Sequence, residues 1–248
     1  MASSDFPDLD WDQDFSFPDP SEADEDGLVG AGGNLSPGML LSAYRRGLFP
    51  WFSREGVPYW FCPDPRFVLV PTELHIGATL QKVLKRRPFE VTLDQAFSEV
   101  IQQCSLAHRP GQGGTWISPD FIAAYTTLHV LGFAHSVEVW RGTGTDRVLV
   151  GGLYGIFLDK VFFGESMFSR ESNASKVGFA TLVKFLVERF GAELIDCQAP
   201  TAYLKSFGAR EVAREWFLGE LQRLVHFPEG RGSWESFPTA ASEATASF

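Results

Sequence analysis

Several features that define common protein classes are scarce or absent in this chain of 248 residues. No run approaches the roughly 18 to 20 uninterrupted apolar residues that cross a bilayer, and the N-terminus is acidic rather than basic and apolar. The three cysteines, Cys62, Cys104 and Cys197, form no CxxC pair, which argues against a disulfide framework and a cysteine-based zinc site. We therefore expect a protein of the reducing cytoplasm with no membrane span, secretory signal or transit peptide.

Basic residues are missing from the first 26 positions, which carry ten acidic side chains. The rest of the chain has 21 acidic and 21 basic residues, so the net charge of −10 belongs to this leader. Because acidic segments with Pro and Ser usually stay solvated, we predict that residues 1–26 are mainly disordered. The alternative is an extended strap docked through its aromatic residues Phe6, Trp11, Phe15 and Phe17. Residues 227–248, rich in Ser, Ala and Gly, predict a flexible tail.

The remaining sequence predicts an α+β protein. Ser36-Pro37 and Ser118-Pro119 each place a serine before a proline, a pattern that begins helices. Beyond the second helix the apolar period changes from 3.6 to 2, and the element order after residue 90 is β, α, α, β, β, β, α, β, α. This order predicts a domain at 89–226 with a mainly antiparallel sheet, preceded by a small N-terminal α/β domain at 27–88.

Three polar residues near strand ends are candidates for chemistry. Glu165 lies among Phe, Gly and Met residues, so it is either functional or paired, for example with Arg170. Asp196 and Gln198 are two residues apart on one strand and share a face. The Asp196 carboxylate can accept from the Gln198 side-chain amide and leave the amide oxygen for a substrate amine; the alternative is a satisfied polar strand end.

One dense basic group stands out in an otherwise balanced body. It consists of Lys82, Lys85, Arg86 and Arg87 at the end of a predicted helix, with Arg109 as a possible neighbour. Such a group can bind a phosphate backbone, or it can be a solvated helix end where cations suit the helix dipole.

Tryptophans flank several Pro- or Gly-rich loops. Trp51, Trp60 and Trp116 lie outside the spacing of core helices. Rings on loops suit base stacking, worth roughly 1–3 kcal/mol each, although core packing would give the same pattern.

Together and in this order, these stretches resemble the leucyl/phenylalanyl-tRNA–protein transferases. The resemblance covers residues 27–226. The matching strings are GLVGAGGNLSPGMLLSAYRRGLFPWF at 27–52, CPDPR at 62–66, GTWI at 114–117, AHSVEVW at 134–140, LVGGLYG at 149–155, FFGESMFSRESNASK at 162–176 and LIDCQ at 194–198.

The resemblance implies a small N-terminal domain followed by a GNAT-type acyltransferase-like domain. It also implies a reaction, the transfer of Leu or Phe, and less well Met, from aminoacyl-tRNA to the N-terminal α-amine of proteins that begin with Arg or Lys. That product would be marked for degradation by the N-end rule pathway. The family implies a monomer that uses no metal and no organic cofactor and does not act on membranes.

By position, the resemblance also assigns roles to residues. Asp196 and Gln198 match the proposed catalytic pair, and Glu165 matches a residue near the acceptor amine. The other matches are Trp51 and Trp116 for the terminal adenosine with Tyr44 close by, Leu153 and Phe162 for the aminoacyl side chain, and Lys82, Lys85, Arg86 and Arg87 for the tRNA. The chain departs from the usual residues at Asn34 (Asp), Cys62 (Ser), Tyr203 (often His) and Leu153 (Met in some members).

Two mechanisms follow as hypotheses. In the first, Gln198, fixed by Asp196, accepts a hydrogen bond from the acceptor amine. In the second, an adenosine hydroxyl of the substrate relays the proton, and Gln198 only positions the substrate. Glu165 is expected to favour a cationic N-terminus.

Two other functions remain as alternatives. An acyl-CoA-dependent N-acetyltransferase would need a pyrophosphate-binding loop at the start of a helix. The sequence has Ser172 to Lys176 at that position instead. A non-catalytic RNA-binding module would leave Glu165, Asp196 and Gln198 unexplained.

Overall fold

A computed structural model describes residues 6–107, 115–226, 230 and 232–237. Arg109, Gly114 and most of the predicted tail lie outside the described residues. The helices are α1 Pro37–Arg45, α2 Ala78–Arg86, α3 Phe97–Leu106, α4 Pro119–Val130, α5 Ala174–Phe190, α6 Ala202–Lys205 and α7 Arg214–Leu224. The strands are β1 Leu28–Ala31, β2 Phe49–Arg54, β3 Val57–Phe61, β4 Arg66–Leu69, β5 Glu90–Leu93, β6 Ala134–Arg141, β7 Val148–Leu158, β8 Val161–Ser169, β9 Leu194–Gln198 and β10 Arg210–Val212. Within these ranges, no helix combines the length and the apolar character that crossing a bilayer requires.

A seven-stranded sheet in the order β10-β4-β9-β8-β7-β6-β5 forms the centre of the molecule. Every neighbouring pair in it is antiparallel except β8 and β9, which run parallel. A parallel pair needs a crossover connection, and α5 supplies it. The prediction of an α+β fold with a mainly antiparallel sheet is therefore confirmed.

The two faces of this sheet support two separate hydrophobic cores, because side chains alternate along each strand. In β4, Phe67 and Leu69 join the core that contains α2 and α5, whereas Val68 joins the core that contains α1, α3 and α4. Strand β4 thus lies inside the large sheet, between β10 and β9. The boundary predicted at residue 88 assigned β4 to the N-terminal domain, whereas β4 belongs to the large sheet. The sequence around residues 66–69 carries no local sign that this strand pairs with strands about 130 residues later.

The N-terminal part of the chain forms a smaller sheet of three strands in the order β1-β3-β2. Trp60 of β3 is buried, and its indole nitrogen donates to the Gly32 carbonyl at 2.8 Å, so this tryptophan is a core residue rather than a stacking platform. Helix α1 begins at Pro37 as predicted, but the Ser36 side chain forms no capping bond. Its hydroxyl oxygen accepts from Leu9 in the leader instead.

The acidic leader contacts α1 through residues 9–15 and β3 through Phe17, unlike the mainly disordered segment predicted from its composition. Asp14 forms ion pairs with Arg45 at 2.5 Å and Arg46 at 2.9 Å. The side-chain amide of Asn34 donates to the Pro7 carbonyl at 3.0 Å, a bond that the Asp usual in the family could not make. Aromatic contacts add to this, with Phe17 against Trp60 at 4.9 Å between ring centroids. The structure therefore follows the strap alternative.

The described part of the predicted flexible tail also packs against the body. Trp234 is fully buried and stacks on His135 with 3.6 Å between ring centroids. Its backbone N–H donates to Asp94 at 2.7 Å, and Asp94 in turn pairs with His135 at 2.8 Å. Burial would raise the pKa of Asp94, but the bonds from His135 and the backbone hold that pKa below its usual range. One buried aromatic residue thus anchors a segment whose average composition is polar.

Candidate active site

A cavity of about 680 Å³ opens where β8 and β9 separate. The two parallel strands pair only from Val161 to Phe163 and from Leu194 to Asp196. Beyond this point β8 continues to Ser169 while β9 ends at Gln198, so the walls diverge and expose their polar residues to the gap. Trp51 from β2 and Trp116 from the segment before α4 also line the cavity.

The structure brings together seven of the eight catalytic and substrate-binding residues predicted from the sequence. The residues that line this one cavity are Trp51, Trp116, Leu153, Phe162, Glu165, Asp196 and Gln198. Tyr44 is the exception, since it is fully buried and does not line the cavity. It lies behind Glu165, to which its hydroxyl is bonded, and its predicted place close to a bound adenosine stays a prediction.

Asp196 is held by Arg66 rather than by the Gln198 side chain. Arg66 donates through Nε to Oδ1 at 2.8 Å and through Nη2 to Oδ2 at 2.6 Å, and both side chains have no exposed surface. The guanidinium also lies between the rings of Phe49 and Phe217, 4.8 and 4.5 Å from their centroids. A bidentate pair of this kind fixes the carboxylate and balances its charge.

Gln198 ends β9 in a left-handed conformation, with φ of 59°, which is uncommon for a residue other than glycine. Its backbone N–H donates to Asp196 Oδ1 at 3.0 Å, whereas its side-chain Nε2 donates to Glu165 Oε1 at 3.0 Å. The sequence predicted that Asp196 would orient the side chain. This prediction is wrong because the turn at Gln198 directs the backbone amide to Asp196 and the side chain to Glu165.

Glu165 is a buried carboxyl surrounded by neutral groups. The hydroxyl oxygens of Tyr44 and Tyr125 lie 2.7 Å from Oε1 and 2.9 Å from Oε2, in addition to the bond from Gln198. Burial, together with the charge of Asp196, raises the pKa of Glu165 to about 7, although the three hydrogen bonds oppose the rise. The alternative of a salt bridge to Arg170 is wrong, since the guanidinium of Arg170 bonds to Gln103.

The rest of the cavity wall is largely apolar. Leu153 and Phe162 are almost fully buried, and Met167, Phe179 and Leu204 line the same wall. Such a wall suits a ligand portion of the size of a large aliphatic or aromatic side chain.

Two aromatic rings from separate parts of the chain complete the lining. Trp51 is 37% exposed and has an edge-on contact with Phe61, and Trp116 is half-buried with an edge-on contact to Phe121. Each ring is held by a neighbour yet keeps surface toward solvent, as a stacking platform requires.

The four predicted tRNA-binding residues are not part of this cavity. Lys82, Lys85, Arg86 and Arg87 are exposed on and just after α2. Arg87 ends that helix in a left-handed conformation, with φ of 48°.

Two residues of the site were missed from the sequence. Arg66 is the sole charged residue of the buried strand Arg66–Leu69, and a charge in such a strand signals a buried partner. Tyr125 carried no such signal, since a tyrosine on the buried face of a helix is ordinary. Its hydroxyl gains a role only because α4 packs beside β8 and α1.

The chemistry of the cavity favours direct acyl transfer between two bound substrates. Cys197 lines the cavity, but burial raises the pKa of its thiol, so the thiol is not poised to act as a thiolate nucleophile. What the cavity offers is an apolar wall for an acyl side chain next to a cluster of carboxyl and amide groups. These features are compatible with the site of an acyltransferase.

Comparison with known proteins specifies the family. Residues 33–64 match the leucyl/phenylalanyl-tRNA protein transferase N-terminal domain, and residues 68–222 match the leucyl/phenylalanyl-tRNA protein transferase domain. The leucyl/phenylalanyl-tRNA–protein transferase of Maridesulfovibrio salexigens is 50% identical over 223 residues, 90% of this chain and 91% of that protein. That of Oleidesulfovibrio alaskensis is 50% identical over 220 residues, 88% of each chain. The chain therefore belongs to the leucyl/phenylalanyl-tRNA–protein transferase family of aminoacyltransferases.

Among solved structures, that of L-PGS from Bacillus licheniformis has a TM-score of 0.40 at 12% identity, covering 57% of this chain and 48% of that chain. This likeness is too distant to support an argument.

Proposed function

We propose that this chain transfers Leu or Phe, and less well Met, from aminoacyl-tRNA to the N-terminal α-amine of proteins that begin with Arg or Lys. The products would enter the N-end rule pathway of degradation. The observation that carries this proposal is the cavity itself, in which an apolar wall with Leu153 and Phe162 adjoins the polar cluster of Glu165 and Gln198.

The reaction requires orientation more than activation. An aminoacyl ester is already activated, so peptide-bond formation from it runs downhill without ATP or a cofactor. Holding amine and ester in attack geometry can give effective molarities on the order of 10⁵–10⁸ M. A rigid cavity with its polar groups held by buried partners suits that task.

The apolar wall would select the transferred residue. Burial of a Leu or Phe side chain contributes roughly 1.5–3 kcal/mol, whereas one methylene in an apolar slot changes binding by only about 1–3 kcal/mol. A slot formed by Leu153 and Phe162 would therefore accept Leu, Phe and Met and reject Ala or polar residues.

The remaining cavity residues would bind the two reacting ends. Trp51 and Trp116 would stack on the terminal adenosine of the tRNA. Because Nε2 of Gln198 donates to Glu165, the side-chain oxygen of Gln198 remains to accept from the acceptor amine. The competing route, in which an adenosine hydroxyl relays the proton, would leave Gln198 a positioning role.

The surroundings of Glu165 alter its predicted part in acceptor choice. A carboxyl with a pKa of about 7 is only partly ionised at neutral pH, so it would attract a cationic N-terminus less strongly than a fixed anion.

Other expectations from the family extend the proposal. The basic residues Lys82, Lys85, Arg86 and Arg87 would bind the tRNA backbone, and their exposure supports this. We propose a GNAT-type arrangement for the large sheet, supported by the parallel strands β8 and β9 that separate at the cavity. We also propose a monomer in the cytoplasm; the free thiols of Cys62, Cys104 and Cys197 are compatible with a reducing compartment.

A transfer assay tests the reaction and the acceptor class together. Purified protein is incubated with radiolabelled Leu-tRNA and a peptide that begins with Arg, and a peptide of the same sequence that begins with Glu is the control. Label in the Arg peptide alone is the expected result. Label in the Glu peptide would contradict the acceptor class, and bound Leu-tRNA without transfer to either peptide would contradict the reaction.

A further inference from the structure

Two phenol oxygens and a carboxyl group form a closed ring behind the cavity. The hydroxyl oxygens of Tyr44 and Tyr125 lie 2.5 Å apart. Tyr44 lies 2.7 Å from Oε1 of Glu165, and Tyr125 lies 2.9 Å from Oε2. All three side chains are buried, and Gln198 adds a bond to Oε1 at 3.0 Å. Each contact in the ring is within hydrogen-bond distance.

The three contacts of the ring need three hydrogens, one more than the two phenols supply. Each phenol has a single hydrogen, and an ionised carboxylate has none. If Tyr44 and Tyr125 both donated to an ionised Glu165, their oxygens would face each other at 2.5 Å with lone pairs alone. A hydrogen on Oε2 of Glu165 removes this conflict. Oε2 then donates to Tyr125, Tyr125 to Tyr44, and Tyr44 to Oε1, which also accepts from Gln198.

The charges around the ring favour the same state. Burial is the main cause that raises the pKa of Glu165, and the charge of nearby Asp196 raises it further. Arg66 is bound to Asp196 rather than to Glu165. Tyr154 packs against Tyr125 from β7, with 5.6 Å between ring centroids. Burial and the charge of Glu165 hold the pKa values of both ring phenols well above their ordinary range, so the phenols keep their hydrogens.

We propose that the Glu165–Tyr44–Tyr125 ring stores one proton on Glu165, and that Glu165 gives it to the ribose oxygen that leaves the aminoacyl ester. This proposal rests on the proposed function for its substrate. The acceptor nitrogen first forms its bond to the ester carbonyl carbon. The carbon–oxygen bond then breaks while the proton of Glu165 passes to the ribose oxygen. The cationic nitrogen returns its surplus proton to the Glu165 carboxylate, which restores the ring.

The leaving oxygen is where a proton matters most. An amine leaves a tetrahedral intermediate more readily than an alkoxide, so the intermediate reverts to substrates unless the ribose oxygen is protonated. Among the other ionisable residues that line the cavity, Asp196 is locked in its pair with Arg66, and burial raises the pKa values of Cys197 and Tyr203. A donor effective near neutral pH should have a pKa close to it, as Glu165 has.

The first test measures the stored proton without any substrate. Infrared spectra of protein labelled with ¹³C-glutamate should show a protonated-carboxyl band at pH 6 that Glu165→Gln removes and that titrates with a midpoint near 7. Tyr44→Phe should move the midpoint downward, because Tyr125 can then donate to an ionised Glu165 without facing a second phenol oxygen. Tyr59→Phe, which removes a phenol outside the ring, should leave it unchanged. Burial also raises the pKa of Glu138, so Glu138→Gln identifies the band of that residue. The absence of a band that Glu165→Gln removes would overturn the stored proton.

The second test follows single-turnover transfer from Leu-tRNA to the Arg peptide between pH 6 and pH 9. The wild-type rate requires a neutral amine, whose ordinary pKa is about 7.7–8.0, together with a protonated Glu165. The rate should therefore rise up to about pH 7, where the neutral amine is limiting, and fall above about pH 8, where protonated Glu165 is limiting. Glu165→Gln should lower the rate by about 10²–10⁴-fold and remove the falling limb, and Tyr44→Phe should displace that limb to lower pH. A loss below about ten-fold in Glu165→Gln, or a Tyr44→Phe profile parallel to wild type, would overturn the acid role. An inactive wild type would instead contradict the proposed function, while the infrared test would still decide whether the proton is stored.

Discussion

Two buried carboxyl groups flank Gln198, and the protein treats them in opposite ways. Asp196 meets a guanidinium in a bidentate pair, whereas Glu165 meets two phenols and an amide. Both side chains are buried, so burial does not distinguish them. The difference lies in the partner, which is charged for one group and neutral for the other.

This difference shows how one cavity wall can hold a fixed charge next to a titratable group. A cation compensates the buried carboxyl of Asp196 in a bidentate pair. Neutral donors compensate Glu165 only in part, so the pKa of Glu165 rises to about 7. The Asp196–Arg66 pair therefore serves to fix geometry, while Glu165 is free to exchange a proton.

The largest expected effect comes from breaking the charged pair. Arg66→Met leaves the Asp196 charge buried without a counter-ion and should lower the free energy of unfolding by about 3–5 kcal/mol at pH 7. Urea denaturation measures this. Adding Asp196→Asn should recover part of the loss, because the uncompensated charge is then gone.

Arg170→Met serves as the matched control. Arg170 is an exposed arginine bonded to Gln103, and its replacement should change stability by less than about 0.5 kcal/mol. Equal losses in the Arg66 and Arg170 variants would contradict the role given to the buried pair.

A smaller effect, the pH dependence of the free energy of unfolding, should distinguish Glu165 from the Asp196–Arg66 pair. The folded protein keeps a proton on Glu165 that the unfolded chain releases above pH 4.5, so this contribution to stability is complete below pH 4.5 and is lost as the pH rises through about 7. The stability of wild type minus that of Glu165→Gln should therefore fall by about 3 kcal/mol between pH 4.5 and pH 8. Denaturation at a series of pH values measures the difference.

Glu188→Gln is the control for this series, since Glu188 is a mostly exposed carboxyl on α5. If the difference in the free energy of unfolding between wild type and Glu165→Gln stays constant with pH, Glu165 has the same pKa in the folded and unfolded states. The comparison with Asp196 would then lose its basis.

The smallest expected effect concerns an ion pair in solvent. Asp14 of the leader also meets arginines, and the hydrogen bond from Arg46, with help from Ser42, lowers the pKa of its carboxyl to about 2. Its side chain is 55% exposed, so screening limits what the pair contributes. Asp14→Asn should cost less than about 1 kcal/mol at pH 7, and this cost should decline below pH 4 and vanish only well below pH 2. A cost at pH 7 equal to that of Arg66→Met would show that burial is not what makes the Asp196 pair strong.

The leader and the tail show where composition fails as a guide. Average polarity predicted that both segments are disordered or flexible, yet their described residues pack against the body through a few side chains. Trp234 fills a site against His135, and Asn34 supplies donors that hold the leader. Composition sums over a segment, whereas docking depends on single contacts with distant residues.

The sequence by itself determined the order of helices and strands, because periodicity and the Ser-Pro helix starts are local. The family strings also predicted Glu165, Asp196 and Gln198 as site residues, and the structure places all three in one cavity. What only the tertiary structure decided is which partner each carboxyl group meets. Arg66 lies 130 residues from Asp196, and Tyr44 lies 121 residues from Glu165. Local spacing carries no information about such pairs, since they form only when β4 pairs with β9 and α1 packs against β8. One carboxyl has a charged partner and the other has neutral partners because of these long-range contacts.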